Sequence, residues 1–98
     1  AAFLDTRHRL IEYVELFHGT IDGAEVHPRE VAREALRLNA ASVLVAHNHP
    51  SGEVEASAAD RAVTARLKQA LALLDIRLLD HVIVGGRQSL SMAAKGWI

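Results

Sequence analysis

The chain has no cysteine. That excludes a disulfide framework and any thiolate metal site, and it is compatible with a reducing cytoplasm. Aromatic residues are scarce, with two Phe, one Tyr and one Trp, so a core has to be built from Leu, Val, Ile and Ala. No apolar run approaches the roughly 18 residues that read as a membrane-spanning helix, and no membrane partner is expected. Charge of one sign is also lacking, with 11 Lys+Arg against 12 Asp+Glu and a net charge of −1. A dedicated nucleic-acid surface carries a strong basic excess, so a DNA partner has no support from charge. Arg29, Arg33 and Arg37 recur at helical spacing and read as a solvated stripe, with a phosphate-tracking patch as the lesser alternative. No secretory signal pattern is visible at the start, although a start cut short would hide one. Internal repeats and low-complexity stretches are absent.

What is present is enough for one small domain of 98 residues, half of them apolar. Phe3–Asp5 reads as the end of a strand, Asp5–His8 as a turn, and Arg9–Phe17 as the partner strand. Gly19 and Gly23 bracket a loop. Pro28 suits a first helical position, and Val31, Ala35 and Leu38 recur at helical spacing, so a helix is expected over Pro28–Asn39 with Asn39 as its stop. Ala41–Ala46 is a short, β-branched apolar run that suits a central strand buried on both faces. Val63, Leu67, Ala70, Leu71 and Leu74 form the stripe of a second helix over Ala58–Leu74. Leu79–Val84 reads as a strand closed by Gly85-Gly86, Ser89–Ser91 as a short return strand, and Met92–Ile98 as a terminal helical turn. This order predicts an α/β fold with a mixed β-sheet flanked by helices.

The chemistry concentrates in residues 47–60, His47-Asn48-His49-Pro50-Ser51-Gly52 through Ser57-Ala58-Ala59-Asp60. Side chains alternate along a strand, so His47 and His49 share a face if the strand persists to Pro50, which itself favours extended geometry in the residue before it. Two imidazoles and a downstream carboxylate make a three-ligand set, most simply for zinc, that leaves a fourth position for water. Asp60 has two readings. With Ser57 as N-cap it stands third in a helix, close to a capping box; it can equally serve as the third ligand, and both roles can hold together. Among the other histidines, His8 and His18 read as surface and His27 as a helix cap. His81 beside Asp80 reads as a local hydrogen bond, with a place behind the metal ligands as the alternative. Trp97 reads as a packing residue.

The segment His47-Asn48-His49-Pro50 followed by Ser57 and Asp60 resembles the JAMM signature of the Jab/MPN metalloprotease superfamily. Leu4-Asp5 to Leu10, Phe17–Thr20, Val26–Val31, Ala46–Gly52 and Leu79–Gly85 extend the resemblance, over nearly the whole chain, to the bacterial RadC family. That resemblance implies a Jab/MPN, cytidine-deaminase-like architecture. It implies a Zn2+ cofactor held by His47, His49 and Asp60, and a catalytic role for Ser57 in steadying a tetrahedral intermediate. It further implies a general-base Glu at the start of the first strand. The matching position falls before residue 1, so residues 1–98 are expected to be a single RadC-like JAMM/MPN domain, a fragment of a longer protein with its first strand clipped. Glu12, Glu15, Glu25, Glu53 and Glu55 do not match that position, Glu55 being the nearest to a substitute. Loss of a general base costs about 10²–10⁴-fold in rate, so this chain is expected to be zinc-competent but weak or inactive.

The expected function is a zinc-dependent metallohydrolase, a peptidase or isopeptidase using a metal-activated water on an unidentified protein or peptide, in the cytoplasm. The alternatives are a non-catalytic binding or scaffold module and a DNA-repair accessory domain, the label the RadC family has carried. A nuclease is disfavoured by the single carboxylate ligand, and a cytidine-type deaminase by the absence of cysteine ligands. A clipped first strand is expected to leave a bare sheet edge, which invites self-association.

Overall fold

The computed structural model describes residues 1–16, 27–49 and 52–98. Phe17, His18, the loop between Gly19 and Gly23, Glu25 and Pro50 lie outside the described residues. The described elements are β1 (Ala2–Leu4), β2 (Leu10–Tyr13), α1 (Pro28–Arg37), β3 (Ser42–Asn48), α2 (Ala58–Ala72), β4 (Arg77–Gly85) and β5 (Gln88–Ser91). They form a mixed five-stranded sheet in the order β2-β1-β3-β4-β5 with two helices, an α/β fold as the pattern of the sequence predicts. Residues 92–96 are hydrogen-bonded turns rather than a helix.

Local chemistry explains the punctuation. Between β1 and β2, Asp5 Oδ1 accepts the backbone N–H groups of Arg7 at 2.8 Å and Arg9 at 2.9 Å, and His8 takes a left-handed φ of 58°. Pro28 opens α1, and Asn39 stops it in a left-handed conformation, φ 54°, which asparagine tolerates better than most residues. Helix α2 ends at Ala72, two residues before the expected Leu74, because the chain turns at Asp75 (φ 58°) and Ile76 N–H donates back to Leu71 C=O at 2.9 Å.

Strand β1 pairs antiparallel with both β2 and β3, while β3 and β4 are parallel and β4 and β5 antiparallel. Strand β1 is therefore paired on both sides. It lies inside the sheet, and the outer strands are β2 and β5. Both helices contribute to one core: Val31 and Ala35 of α1 and Leu67 and Leu71 of α2 close over Phe3, Val43 and Leu78 of the sheet. Burying such side chains contributes about 1.5–3 kcal/mol each. Strand β3 is central, but it is not covered on both faces along its length: Val43 and Val45 join the core, whereas Ala46 and Asn48 are exposed. The Arg29, Arg33 and Arg37 stripe of α1 is a solvated, ion-paired face. Glu30 pairs with Arg33, Glu34 with Arg37 at 2.5 Å, and Glu12 of β2 with Arg37 at 3.0 Å.

One irregularity positions the chemistry. The β3–β4 register steps from Val43↔Leu78 to Leu44↔Asp80, leaving Leu79 as an extra residue. An extra residue reverses which side chains point to which face. Leu78 is buried before the step, and His81, Ile83 and Gly85 are buried after it. Without the step, Asp80 would take the inward place that His81 holds.

Candidate metal centre

Strand β3 continues through Asn48, so the alternation that sends Val43 and Val45 into the core carries His47 to the same side, at the strand's C-terminal end. His49 follows directly. Its backbone N–H donates to Val84 C=O at 2.8 Å, which holds the residue beside β4. From the other side comes the first turn of α2. Ser57 is its N-cap, and the Ser57 hydroxyl accepts the Asp60 N–H at 3.0 Å while Asp60 Oδ2 accepts the Ser57 N–H at 2.8 Å. This reciprocal cap fixes the Asp60 carboxylate toward the histidines.

The result is a convergence of three donor groups. His47 Nε2 and His49 Nε2 are 2.9 Å apart, Asp60 Oδ1 is 3.4 Å from His47 Nε2, and Asp60 Oδ2 is 3.4 Å from His49 Nε2. Among the described residues, His47, His49 and Asp60 are the group of His and carboxylate side chains arranged so that it could hold a metal ion. Tetrahedral zinc with bonds of about 2.0–2.2 Å places ligand atoms roughly 3.3–3.6 Å apart. The two His–Asp separations meet that spacing, and the imidazoles need to part by only a few tenths of an ångström. Asp60 completes the helix cap and at the same time faces both imidazoles.

Protonation favours the same use. His49 Nδ1 lies 3.0 Å from the Glu53 carbonyl oxygen. A carbonyl only accepts, so Nδ1 carries a hydrogen, and in the neutral ring the Nε2 lone pair is then bare. Burial holds His47 below its ordinary pKa, with the Asp60 charge working against this and His49 adding to it. Burial pushes the Asp60 carboxyl up, but hydrogen bonding from Ser57 and the nearby imidazoles outweigh it, so the net shift is downward. At neutral pH His47 therefore offers a neutral imidazole and Asp60 a carboxylate, the forms that ligate.

Behind the ligands stands a second layer. His47 Nδ1 lies 2.7 Å from His81 Nε2, and His81 Nδ1 lies 2.5 Å from Thr64 Oγ1. The His81 side chain backs His47, and its backbone N–H donates to Asp80 Oδ1 at 2.7 Å. The Asp80 carboxylate also accepts from Ser91 Oγ at 2.5 Å and Ala93 N at 2.9 Å. Burial raises its pKa, and these bonds outweigh that and lower it. His81 is 3% exposed, and burial, reinforced by His47, lowers its pKa to about 4.

Sequence reasoning passed over Thr64, the Glu53 carbonyl and Gly85. Thr64 carried a signal: it lies on the buried stripe of α2 with Leu67 and Leu71, and a polar residue on a core stripe needs a partner. A Cβ built on Gly85 would come within 2.7 Å of the Gly52 backbone and 3.1 Å of Glu53 O, so only glycine lets the ligand loop lie this close to β4. Of the other described histidines, His8 and His27 stay outside the site. His8 is exposed in its turn, and His27 occupies the N-cap of α1 without a side-chain cap bond. Arg61 lies over the Trp97 ring, 4.2 Å from its centroid, which gives Trp97 a packing role.

Comparison with known proteins adds a family context. A protein-family model described as RadC-like JAB domain matches residues 1–97. A UPF0758 protein of Xylella fastidiosa (strain 9a5c) is 62% identical over 96 residues, which cover 98% of this chain and 43% of that protein. A UPF0758 protein of Xanthomonas campestris pv. campestris (strain 8004) is 63% identical over 98 residues, 100% of this chain and 44% of that protein. In Vibrio cholerae serotype O1 a UPF0758 protein is 62% identical over 96 residues, 98% of this chain and 60% of that protein. The chain thus spans about half the length of the curated relatives it matches.

Proposed function

Because this chain belongs to the RadC-like JAB domain family, we propose that His47, His49 and Asp60 form the zinc site of a metallohydrolase that cleaves a peptide or isopeptide bond. The observation that carries the reading is the convergence of the two Nε2 atoms and the Asp60 carboxylate within 2.9–3.4 Å of one another. A zinc ion held there would supply Lewis acidity and a water whose pKa falls to about 7.

The protein's own residues prepare that chemistry. The Glu53 carbonyl and His81 orient the two imidazoles. Ser57 and Asp60 hold one another, so the ligand carboxylate arrives already aligned. The Ser57 Oγ uses a lone pair for the cap and keeps its O–H to donate, to the Asp60 carboxylate or to an oxyanion forming nearby. This supports the catalytic role for Ser57 that the resemblance implies. None of the described glutamates is in the ligand group.

The substrate class in this proposal is a protein or peptide amide, in the cytoplasm. The cysteine-free composition is compatible with that setting, and no described helix is long and apolar enough to cross a membrane. Self-association is proposed through strand β2. It is an outer strand with Leu10, Ile11 and Tyr13 exposed, and outer strands pair readily with a second copy. Sedimentation of the chain and of an Ile11→Lys variant tests it, and a concentration-independent monomer would dismiss it.

Calorimetric titration with zinc tests the site. One equivalent is expected for the unsubstituted chain, and none for His47→Ala, His49→Ala or Asp60→Ala. Retention of full stoichiometry in all three variants, or no binding by the parent, would refute the assignment. Zinc-dependent cleavage of isopeptide-linked and linear fluorogenic peptides then tests the reaction. A complete absence of turnover beside tight zinc binding would favour the scaffold alternative.

A further inference from the structure

We propose that Thr64 and His81 are positioning residues whose hydrogen-bond chain reverses direction when a metal enters. The inference rests on the zinc reading above and deepens it.

Four groups stand in line: Thr64 Oγ1, His81 with 2.5 Å between Nδ1 and that oxygen, His47 with 2.7 Å between its Nδ1 and His81 Nε2, and His49 with 2.9 Å between the two ligand Nε2 atoms. The far end is fixed, because the Glu53 carbonyl forces the His49 hydrogen onto Nδ1 and leaves its Nε2 bare.

Without a metal, bare lone pairs on both ligand Nε2 atoms would face each other at 2.9 Å. The arrangement that avoids this runs outward from α2. The Thr64 hydroxyl donates to His81 Nδ1, His81 Nε2–H donates to His47 Nδ1, and His47 Nε2–H donates to His49 Nε2. A metal requires the His47 Nε2 lone pair, so the hydrogen must leave that atom. It reappears on His47 Nδ1, which donates to His81 Nε2; His81 Nδ1–H then donates to Thr64 Oγ1. The Thr64 hydroxyl hydrogen now needs an acceptor, and one is in place: the Asp60 carbonyl oxygen lies 2.9 Å from Oγ1, with Met92 Sδ at 3.1 Å as a second. Both states hold the same number of protons on the same four side chains. Two imidazoles exchange tautomer, one hydroxyl rotates, and no group is ionised.

Burial makes this chain matter. Thr64 is 1% exposed and His81 3%, so an unmatched N–H there has no water to turn to. In the metal-bound direction His81 Nδ1–H depends on Thr64 Oγ1 alone. The threonine is thus coupled to metal affinity without touching the metal, as residues behind histidine ligands commonly are.

The test uses zinc alone and the chain as it stands. Long-range ¹H–¹⁵N spectra assign the imidazole tautomers in chelator and after one equivalent of zinc. His47 and His81 are expected as Nε2–H tautomers without metal and as Nδ1–H tautomers with it. Calorimetry compares Thr64→Val, which keeps the shape and removes the hydroxyl, with Thr64→Ser, which restores it. Thr64→Val is expected to weaken zinc about ten- to hundredfold, and Thr64→Ser to remain close to the parent. Zinc bound at full stoichiometry with unchanged tautomers, or equal affinity in the two Thr64 variants, would overturn this inference and leave the zinc site standing. Failure of the unsubstituted chain to bind zinc would overturn both. Should Thr64→Val not fold, the tautomer spectra of the parent decide alone.

Discussion

Ser57 and Asp60 exchange backbone N–H groups: each side chain accepts the other's amide, at 3.0 Å and 2.8 Å. The ligand carboxylate is thereby part of a helix end, and its two jobs can be separated by substitution. Asp60→Asn keeps an oxygen for the Ser57 N–H and loses the charge. Zinc is expected to be no longer retained through gel filtration, while the metal-free urea midpoint stays near the parental one. Ser57→Ala removes the acceptor for the Asp60 N–H and is expected to cost about 1 kcal/mol of stability. A midpoint unchanged in Ser57→Ala would show that the cap contributes nothing.

Gly85 is a close-contact position rather than a flexible one. A methyl group there meets the backbone of Gly52 at 2.7 Å and the Glu53 carbonyl at 3.1 Å. Those atoms belong to the loop that orients His49. Gly85→Ala is expected to cost about 1–3 kcal/mol through overpacking and to weaken zinc binding as well. Denaturant melts and calorimetry on the same variant check both, and parental values in each would show that the loop yields without consequence.

Acid is expected to destabilise the metal-free chain. Burial, aided by His47 of β3 and opposed by Asp60 of α2 and Asp80 of β4, lowers His81 to a pKa of about 4. An unfolded histidine titrates near 6.5. As pH falls between those values the unfolded chain takes up a proton that the folded chain refuses, so stability is full above about 6.5 and declines toward 4. His47 shifts in the same direction. The loss from His81 is on the order of 1–3 kcal/mol at 1.36 kcal/mol per pKa unit, discounted for relaxation. Urea melts in chelator at several pH values measure it, with a flatter profile expected for His81→Gln. A midpoint constant from pH 7 to 4.5 would contradict the neutral, buried state of His81.

Ser42 offers a change in the opposite direction. Its hydroxyl is buried at the start of β3 and has no hydrogen-bond partner among the described residues. Ser42→Ala removes an unsatisfied polar atom and is expected to be neutral or to stabilise by up to about 1 kcal/mol. A clear loss of stability would point to a water held at that hydroxyl.

The grouping of His47, His49 and Asp60 was legible because two local rules suffice for it. Strand alternation puts His47 and His49 on one side, and the Ser57–Asp60 spacing gives the helix cap. The same rules located α1 to within its last two residues, since Pro28 and Asn39 are punctuation that depends on the backbone alone. What escaped depends on pairing. The place of β1 between β2 and β3 is set by which strands meet across α1, and chain order does not carry that. The step at Leu79 decides that His81, not Asp80, faces the helices, and no residue in Leu78-Leu79-Asp80 marks it. Thr64 escaped for a related reason: its value lies in facing His81, which only the step in β4 provides.

The parallel pairing of β3 and β4 has a consequence for the order of assembly. His47 and His81 are 34 positions apart in the chain, and parallel strands meet only after the whole connection between them has closed, here with α2 in place. Pairing across such a separation is slow, because the loop-closure cost comes before the contacts that repay it. The imidazole pair and the carboxylate from α2 are expected to come together last, after the rate-limiting step. A metal that binds only this finished arrangement stabilises the native state without stabilising the transition state. In stopped-flow experiments zinc is expected to slow unfolding in proportion to its affinity and to leave the refolding rate almost untouched; faster refolding with zinc would place the histidines in the folding nucleus.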